Sequence, residues 1–284
     1  MHDERLLLEA RLNRFVRDHL EPAIYQASAP LALTAWRVPG EPVPFADATR
    51  QDFTSIDIGA AWGEPWSTLW IHAVGNVPAD WLDVPASKPE VVVDLGFTGG
   101  AGFQAEALAY RTDGSMIKAV SPFNNHLPVT PGEPVEFYLE AAANPDIGNT
   151  GFRPTPNGDP ATAIETPLYS IKKLDLALKN VHVWELRADI WTLSGLMHEL
   201  PMDSSRRAEI LFALQRAIDV TDPDDVAGTA VAARRELTEA LSRPASASAH
   251  RVVAVGHAHI DSAWLWPIRE TIRKCARTFS NVIQ

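Results

Sequence analysis

From about residue 30 to residue 187 the sequence breaks into short apolar runs, punctuated by Gly, Pro, Asn and Asp, and no helical period holds across them. Such a texture folds as many short strands joined by turns. With no helices to cross over between parallel strands, those strands pack as antiparallel sheets. Strand candidates lie at 68–74, 90–95, 108–110, 135–140 and 181–186. Turn signals separate them at Asp113-Gly114, Pro131-Gly132 and Asn157-Gly158. The Pro-, Gly-, Asn- and Thr-rich stretch 144–167 reads as a long ordered loop. A β-sandwich is therefore expected over residues 29–187.

Helical periodicity flanks this region on both sides. Over 3–20, Leu6, Leu7, Leu12, Phe15 and Val16 share one stripe, and Pro22 follows the last turn. After the β-rich region, Ile210, Leu211, Leu214, Ala217 and Ile218 form a second stripe. Val226, Val231, Leu237 and Leu241 form a third, set off from the second by Asp222-Pro223. A small-residue linker at 243–249 leads to the continuous apolar run 251–256, which suits a parallel strand buried on both faces. A helical pattern resumes from Trp264 to Phe279. The expected architecture is an α+β multidomain chain. It has a leading helix (1–28), the β-sandwich (29–187), a helical connector (188–249) and the first βα unit of an α/β barrel-like catalytic domain (250–284). One strand and one helix cannot bury a barrel's faces, so the rest of that domain is expected in a longer enzyme.

The 284 residues carry a formal net charge of −11, and no Lys/Arg cluster with interleaved aromatics is present, which argues against a nucleic-acid partner. The first residues are charged and lack the apolar core of a signal peptide. No apolar run approaches the ~20 residues that span a bilayer. The single cysteine, Cys275, excludes an intrachain disulfide and reads as a small buried apolar residue. A cytoplasmic protein with no membrane partner is expected. Nine tryptophans could stack on sugar rings, but core filling is the more common use of an indole.

The residues most suggestive of chemistry are His257, His259 and Asp261, alternating just after the apolar run. Residues two apart in extended chain point to the same side, so an imidazole and a carboxylate can converge on one cation. By themselves these residues leave several readings open. His259 and Asp261 could form part of a zinc site. His257 and His259 could be the paired histidines of an amidohydrolase-like site, in which metal activates water. The His-x-Asp spacing could also be a structural coincidence.

Residues 254–267, Ala-Val-Gly-His-Ala-His-Ile-Asp-Ser-Ala-Trp-Leu-Trp-Pro, resemble the opening strand and loop of the retaining α-mannosidases of glycoside hydrolase family 38. Residues 268–280 continue the resemblance toward the yeast-vacuolar and bacterial branch, and 62–70 and 138–144 resemble that branch's β-domain more loosely. The resemblance implies a zinc-dependent glycosidase acting on mannose-containing oligosaccharides. It assigns His259 and Asp261 as metal ligands and Trp264 as the floor of the sugar subsite. The nucleophile, the general acid/base and the last histidine ligand belong to motifs not found among these residues. No catalytic residue is assigned here, and the chain alone is expected to be inactive. A homo-oligomer is expected. Arg269, Glu270, Arg273 and Lys274 read as structural or inter-domain pairs, and Trp266 and Pro267 as packing or helix-start residues. The competing readings are the amidohydrolase-type hydrolase and a non-catalytic carbohydrate-binding or oligomerisation module.

Overall fold

The structure, a computed structural model, describes residues 5–100, 104–146, 165–245, 249–256, 258, 260–262 and 266–283. In chain order the elements are α1 (Arg5–Phe15), β1 (Tyr25–Pro30), β2 (Ala32–Arg37), the short α2 (Phe45–Ala48), β3 (Thr54–Ser55), β4 (Ala61–Trp62), β5 (Thr68–Asn76), β6 (Ser87–Asp94), β7 (Glu106–Tyr110), β8 (Met116–Val120), β9 (His126–Pro128), β10 (Pro134–Ala142), β11 (Tyr169–Ser170) and β12 (Lys173–Asn180). Four long helices follow: α3 (Val181–Glu199), α4 (Ser205–Asp219), α5 (Val226–Ser242) and α6 (Ile268–Ile283). They divide into two compact units, one made of Met1–Ala27, Asp83–Lys88 and Leu178–Ala254, the other of Ser28–Leu82, Pro89–Ala177 and Val255–Gln284.

The β-rich unit is a sandwich. One sheet has the order β3-β2-β5-β10-β7-β8, a second β1-β12-β6-β9, and β4 and β11 pair as a small ribbon. In the six-stranded sheet β10 lies antiparallel between β5 and β7, with Leu139 opposite Ile71 and Ala109. Strand alternation then sorts the side chains. Leu69, Ile71 and Ala73, with Phe137, Leu139, Ala141, Ala107 and Ala109, are buried on the inner face. Gly75 continues that face, and a Cβ there would stand 2.5 Å from the Leu31 side chain and 3.9 Å from Leu176 of β12, so the two sheets meet closely at this point. On the outer face, Phe45 of α2 packs edge-on to Trp70 and Tyr138, at 6.0 and 5.4 Å between ring centres. The central strands are thus buried on both faces.

The spaced tryptophans at 62–70 are core residues. Trp62, Trp66 and Trp70 are all buried, and the Trp62 indole donates to the Leu95 carbonyl at 2.9 Å. Gly63 has φ +81, and a Cβ there would lie 2.8 Å from that of Ala143, so only glycine fits.

The helical unit buries one apolar cluster built from α1, α3, α4 and α5, including Leu12, Leu186, Ile190, Leu214 and Leu237. Arg207 of α4 is buried and donates to the Met197 and Leu200 carbonyls at 2.9 and 3.1 Å, closing the C-terminal end of α3, where unpaired carbonyls favour a cation.

Several expectations are corrected. The strand expected at 181–186 is the first turn and a half of α3. Asn180 caps it by accepting from the Val183 amide at 3.0 Å, and Val183, Leu186, Ile190, Leu193 and Met197 are buried at helical spacing. A short apolar run does not itself distinguish the two periods. Leu6 and Leu7 are exposed, because the stripe of α1 that meets the helical core runs through Leu8, Leu12 and Phe15 and leaves them off it. Val16 belongs to the π-turn Val16–Leu20, whose buried residue is Leu20. In α5 the buried stripe is Val226, Ala230, Ala233, Leu237 and Ala240, while Val231 and Leu241 face outward. The run 251–256 forms no strand. Val252, Val253 and Val255 are 82%, 78% and 80% exposed, since a parallel strand needs ladder partners and no described residue provides them. Cys275 is half-buried rather than buried. The Asn157-Gly158 turn and most of the expected loop at 144–167 lie outside the described residues.

Candidate functional site

Of the residues the sequence singles out, Asp261 is described and half-buried, whereas His257, His259 and Trp264 lie outside the described residues. Among the described residues no group of three or more His, Cys, Asp or Glu side chains gathers to hold a cation. The donor types of the motif, imidazole nitrogen and carboxylate oxygen, are those a zinc ion takes.

What the structure does describe is how the segment around Asp261 is held. Helix α6 starts after Pro267, whose carbonyl accepts from the Glu270 and Thr271 amides at 2.9 and 3.4 Å. The Thr271 hydroxyl lies 2.8 Å from the Ser262 carbonyl and 3.3 Å from that of Asp261, and accepts from the Trp266 indole at 3.0 Å. Trp266 also lies under the Lys274 ammonium, 4.9 Å from the ring centre. Trp266 and Pro267 therefore do serve packing and helix initiation.

The rest of α6 carries a buried polar stripe. Glu270, Lys274, Arg277 and Ser280 are buried against the outer face of the six-stranded sheet. That face supplies Glu106 and Glu140, each the partner of a cation on α6. Arg273 Nε lies 3.0 Å from Glu140, Arg277 Nε 2.9 Å from Glu106, and Lys274 Nζ 3.3 Å from Glu106. Glu270 pairs with Arg277 and with Arg273 and accepts from the Asn144 amide at 2.9 Å. Three carboxylates thus meet three cations, so the buried group is neutral as a set. At the far end of the helix the Asn281 side chain accepts from the Ala119 amide of β8 at 3.0 Å.

Burial drives the Glu270 carboxyl toward protonation. Arg277, then Arg273 and Lys274, and the Asn144 hydrogen bond outweigh that and hold it at about 2. Burial likewise works against the Arg277 charge, but Glu270 and Glu106 raise its pKa above the ordinary arginine value. Burial, followed by the neighbouring Glu140 charge, raises the Tyr110 phenol. These groups are permanently charged or permanently neutral near pH 7. Glu270, Arg273 and Lys274 are structural pairs, as expected, and Arg269 pairs with Glu41 at 3.0 Å.

Sequence reasoning did not find Glu106, Glu140, Asn144 or Thr271. Glu140 shares a strand face with Tyr138 and looks solvated in an alternating pattern. Only the helix lying over that face, which one sequence does not reveal, makes it interior.

Comparison with known proteins bears on both segments. Residues 29–187 match the family model described as the α-mannosidase jelly roll domain, and residues 249–284 match the glycosyl hydrolases family 38 N-terminal domain. The chain is similar to α-mannosidase 2C1 of Homo sapiens (26% identity, covering 95% of this chain and 25% of the relative). It is also similar to α-mannosidase G of Dictyostelium discoideum (26%, covering 95% and 24%). A third relative is the α-mannosidase of Saccharomyces cerevisiae (25%, covering 81% and 21%). The chain spans about a quarter of the length of these curated relatives. With the jelly-roll match covering more than half of its residues and the second match covering the His-x-Asp segment, the chain belongs to the α-mannosidases of glycoside hydrolase family 38.

Proposed function

We propose that this chain supplies two metal ligands, His259 and Asp261, and a sugar-stacking indole, Trp264, to a zinc-dependent retaining α-mannosidase that removes terminal α-mannosyl residues from glycans. The observation that carries the reading is the family 38 match over 249–284, which spans the His-x-Asp-x-x-Trp pattern. The same match favours this pattern over the paired-histidine reading, in which His257 would also be a ligand. Imidazole and carboxylate would hold the cation, and Trp264 would lie against the apolar face of the mannose ring and orient it. Zinc bound there would supply a charge centre for the sugar hydroxyls.

The jelly-roll domain serves in this reading as a support rather than a glycan-binding surface. The burial of Trp62, Trp66, Trp70 and Trp81 supports that role, since none of these indoles is presented to a ligand. We place the enzyme in the cytoplasm as a homo-oligomer. The single cysteine is compatible with a reducing compartment, and among the described residues no helix is long and apolar enough to cross a membrane.

The test is hydrolysis of an aryl α-mannoside by the complete enzyme, with bound zinc measured in parallel. Activity is expected to disappear with a chelator, to return with zinc, and to be lost together with the metal in His259→Ala and Asp261→Ala. Full activity and full metal content in both variants would sink the assignment.

A further inference from the structure

Thr271 behaves unlike three threonines in the other long helices. Thr192 of α3 and Thr229 and Thr238 of α5 each return the hydroxyl to the carbonyl four residues back. This is the ordinary local bond of such a side chain. Thr271 turns away from its helix and bonds the loop that precedes it.

The direction of each bond follows from chemistry. An indole N–H can only donate, so Trp266 takes a lone pair of the Thr271 oxygen. The single hydroxyl proton then goes to the loop, to the Ser262 carbonyl at 2.8 Å, with the Asp261 carbonyl at 3.3 Å as its second acceptor. The turn that carries Thr271 is itself fixed, because Glu270 and Arg273 on either side are tied to Asn144, Glu140 and Thr68 of the sheet domain. A line of contacts therefore runs from the sheet, through the first turn of α6, to the backbone of Asp261.

We propose that Thr271 is a positioning residue for the metal loop. By clamping the carbonyls of Asp261 and Ser262, it fixes the backbone from which the Asp261 carboxylate projects toward the cation. The inference rests on the reading of Asp261 as a ligand. A ligand whose backbone rotates freely must be ordered each time metal binds, and outer partners that remove this freedom typically contribute about tenfold to a hundredfold in metal affinity.

The experiment uses the complete enzyme, with zinc affinity measured by competition against a chromophoric chelator and kcat and KM measured separately. Thr271→Val keeps the shape of the side chain and removes the hydroxyl. It is expected to weaken zinc binding by about tenfold or more, while the unfolding midpoint of the metal-free protein changes little. Thr271→Ser, which restores the hydroxyl, is expected to recover most of the affinity. Wild-type zinc affinity in Thr271→Val would overturn the proposal, and so would a loss that Thr271→Ser does not rescue. If Thr271→Val does not fold, Thr271→Ala removes the hydroxyl without the branched side chain, and an unchanged zinc affinity there counts against the proposal equally. Asp261→Asn separates the two readings. If it loses zinc while Thr271→Val does not, this inference alone fails. If it keeps zinc, the ligand assignment fails and this inference fails with it.

Discussion

Helices α4 and α6 are amphipathic in opposite senses. In the helical unit, α4 buries Ile210, Leu211, Leu214 and Ala217 and turns Arg216 and Asp219 outward. In the β-rich unit, α6 buries Glu270, Lys274, Arg277 and Ser280 and turns Ile268, Ile272, Phe279 and Val282 outward. Hydrophobic pattern alone would give both helices the same rule. The difference is in what each face meets. α4 lies against other apolar helices, while α6 lies against an outer sheet face that offers Glu106, Glu140 and Thr68. The burial of charge is tolerable there because every carboxylate has a cation within reach.

The largest effect should come from breaking this neutral set. Arg277→Met removes the cation shared by Glu270 and Glu106, and is expected to destabilise the protein by about 3 kcal/mol, in the range seen when one partner of a buried pair is lost. Most of that cost comes from the carboxylate left behind. Adding Glu270→Gln to Arg277→Met should therefore cost clearly less than the sum of the two single changes in equilibrium urea unfolding. Strict additivity would mean that the two side chains are not coupled, and that the buried stripe of α6 is held by packing alone.

A second, smaller effect is set by pH. Glu270 titrates at about 2 in the folded protein against an ordinary value of 4.5, so the folded state binds its proton less readily than the unfolded state does. The stability this carboxylate contributes is fully present above about pH 4.5 and is lost as pH falls toward 2. The stability gap between the wild type and Glu270→Gln should be constant from pH 8 to pH 5 and narrow below that. A gap that narrowed between pH 8 and 6 would point to a different titrating group.

The sequence revealed the architecture wherever one period dominates. The apolar runs at β5 and β10 are read correctly because both are central strands covered on their two faces, and the stripe of α4 because one of its faces meets apolar neighbours. It misled where two elements share a signal. Residues 181–186 carry alternating valines that suit a strand, yet Asn180 caps a helix there, and the burial of Ile190, Leu193 and Met197 further on decides the matter. The candidate site was legible as a motif, from His257 to Trp264, but its support was not. Glu140 is an ordinary surface residue by pattern and becomes interior only because strand β10 and helix α6, far apart in the sequence, lie face to face. Glu270, legible as one member of a structural pair, takes its Asn144 partner from that same contact. Thr271 gave no signal at all, since a threonine in a first helical turn normally bonds its own helix.

The smallest effect belongs to the helical unit and uses the same chemistry at another depth. Arg216 and Glu236 are 3.0 Å apart on α4 and α5, with side chains 51% and 36% exposed, against 5% and 3% for Arg277 and Glu270. In solvent the attraction is screened, and holding two long side chains together costs entropy, so such pairs contribute about 1 kcal/mol or less. Arg216→Ala should therefore lower the urea midpoint only slightly, and the shift should shrink further in high salt. Arg277→Met should be nearly insensitive to salt, because its partners are out of reach of solvent ions. If the two variants responded alike to salt, depth would not be what separates the pairs, and the contrast between α4 and α6 would reduce to sequence alone.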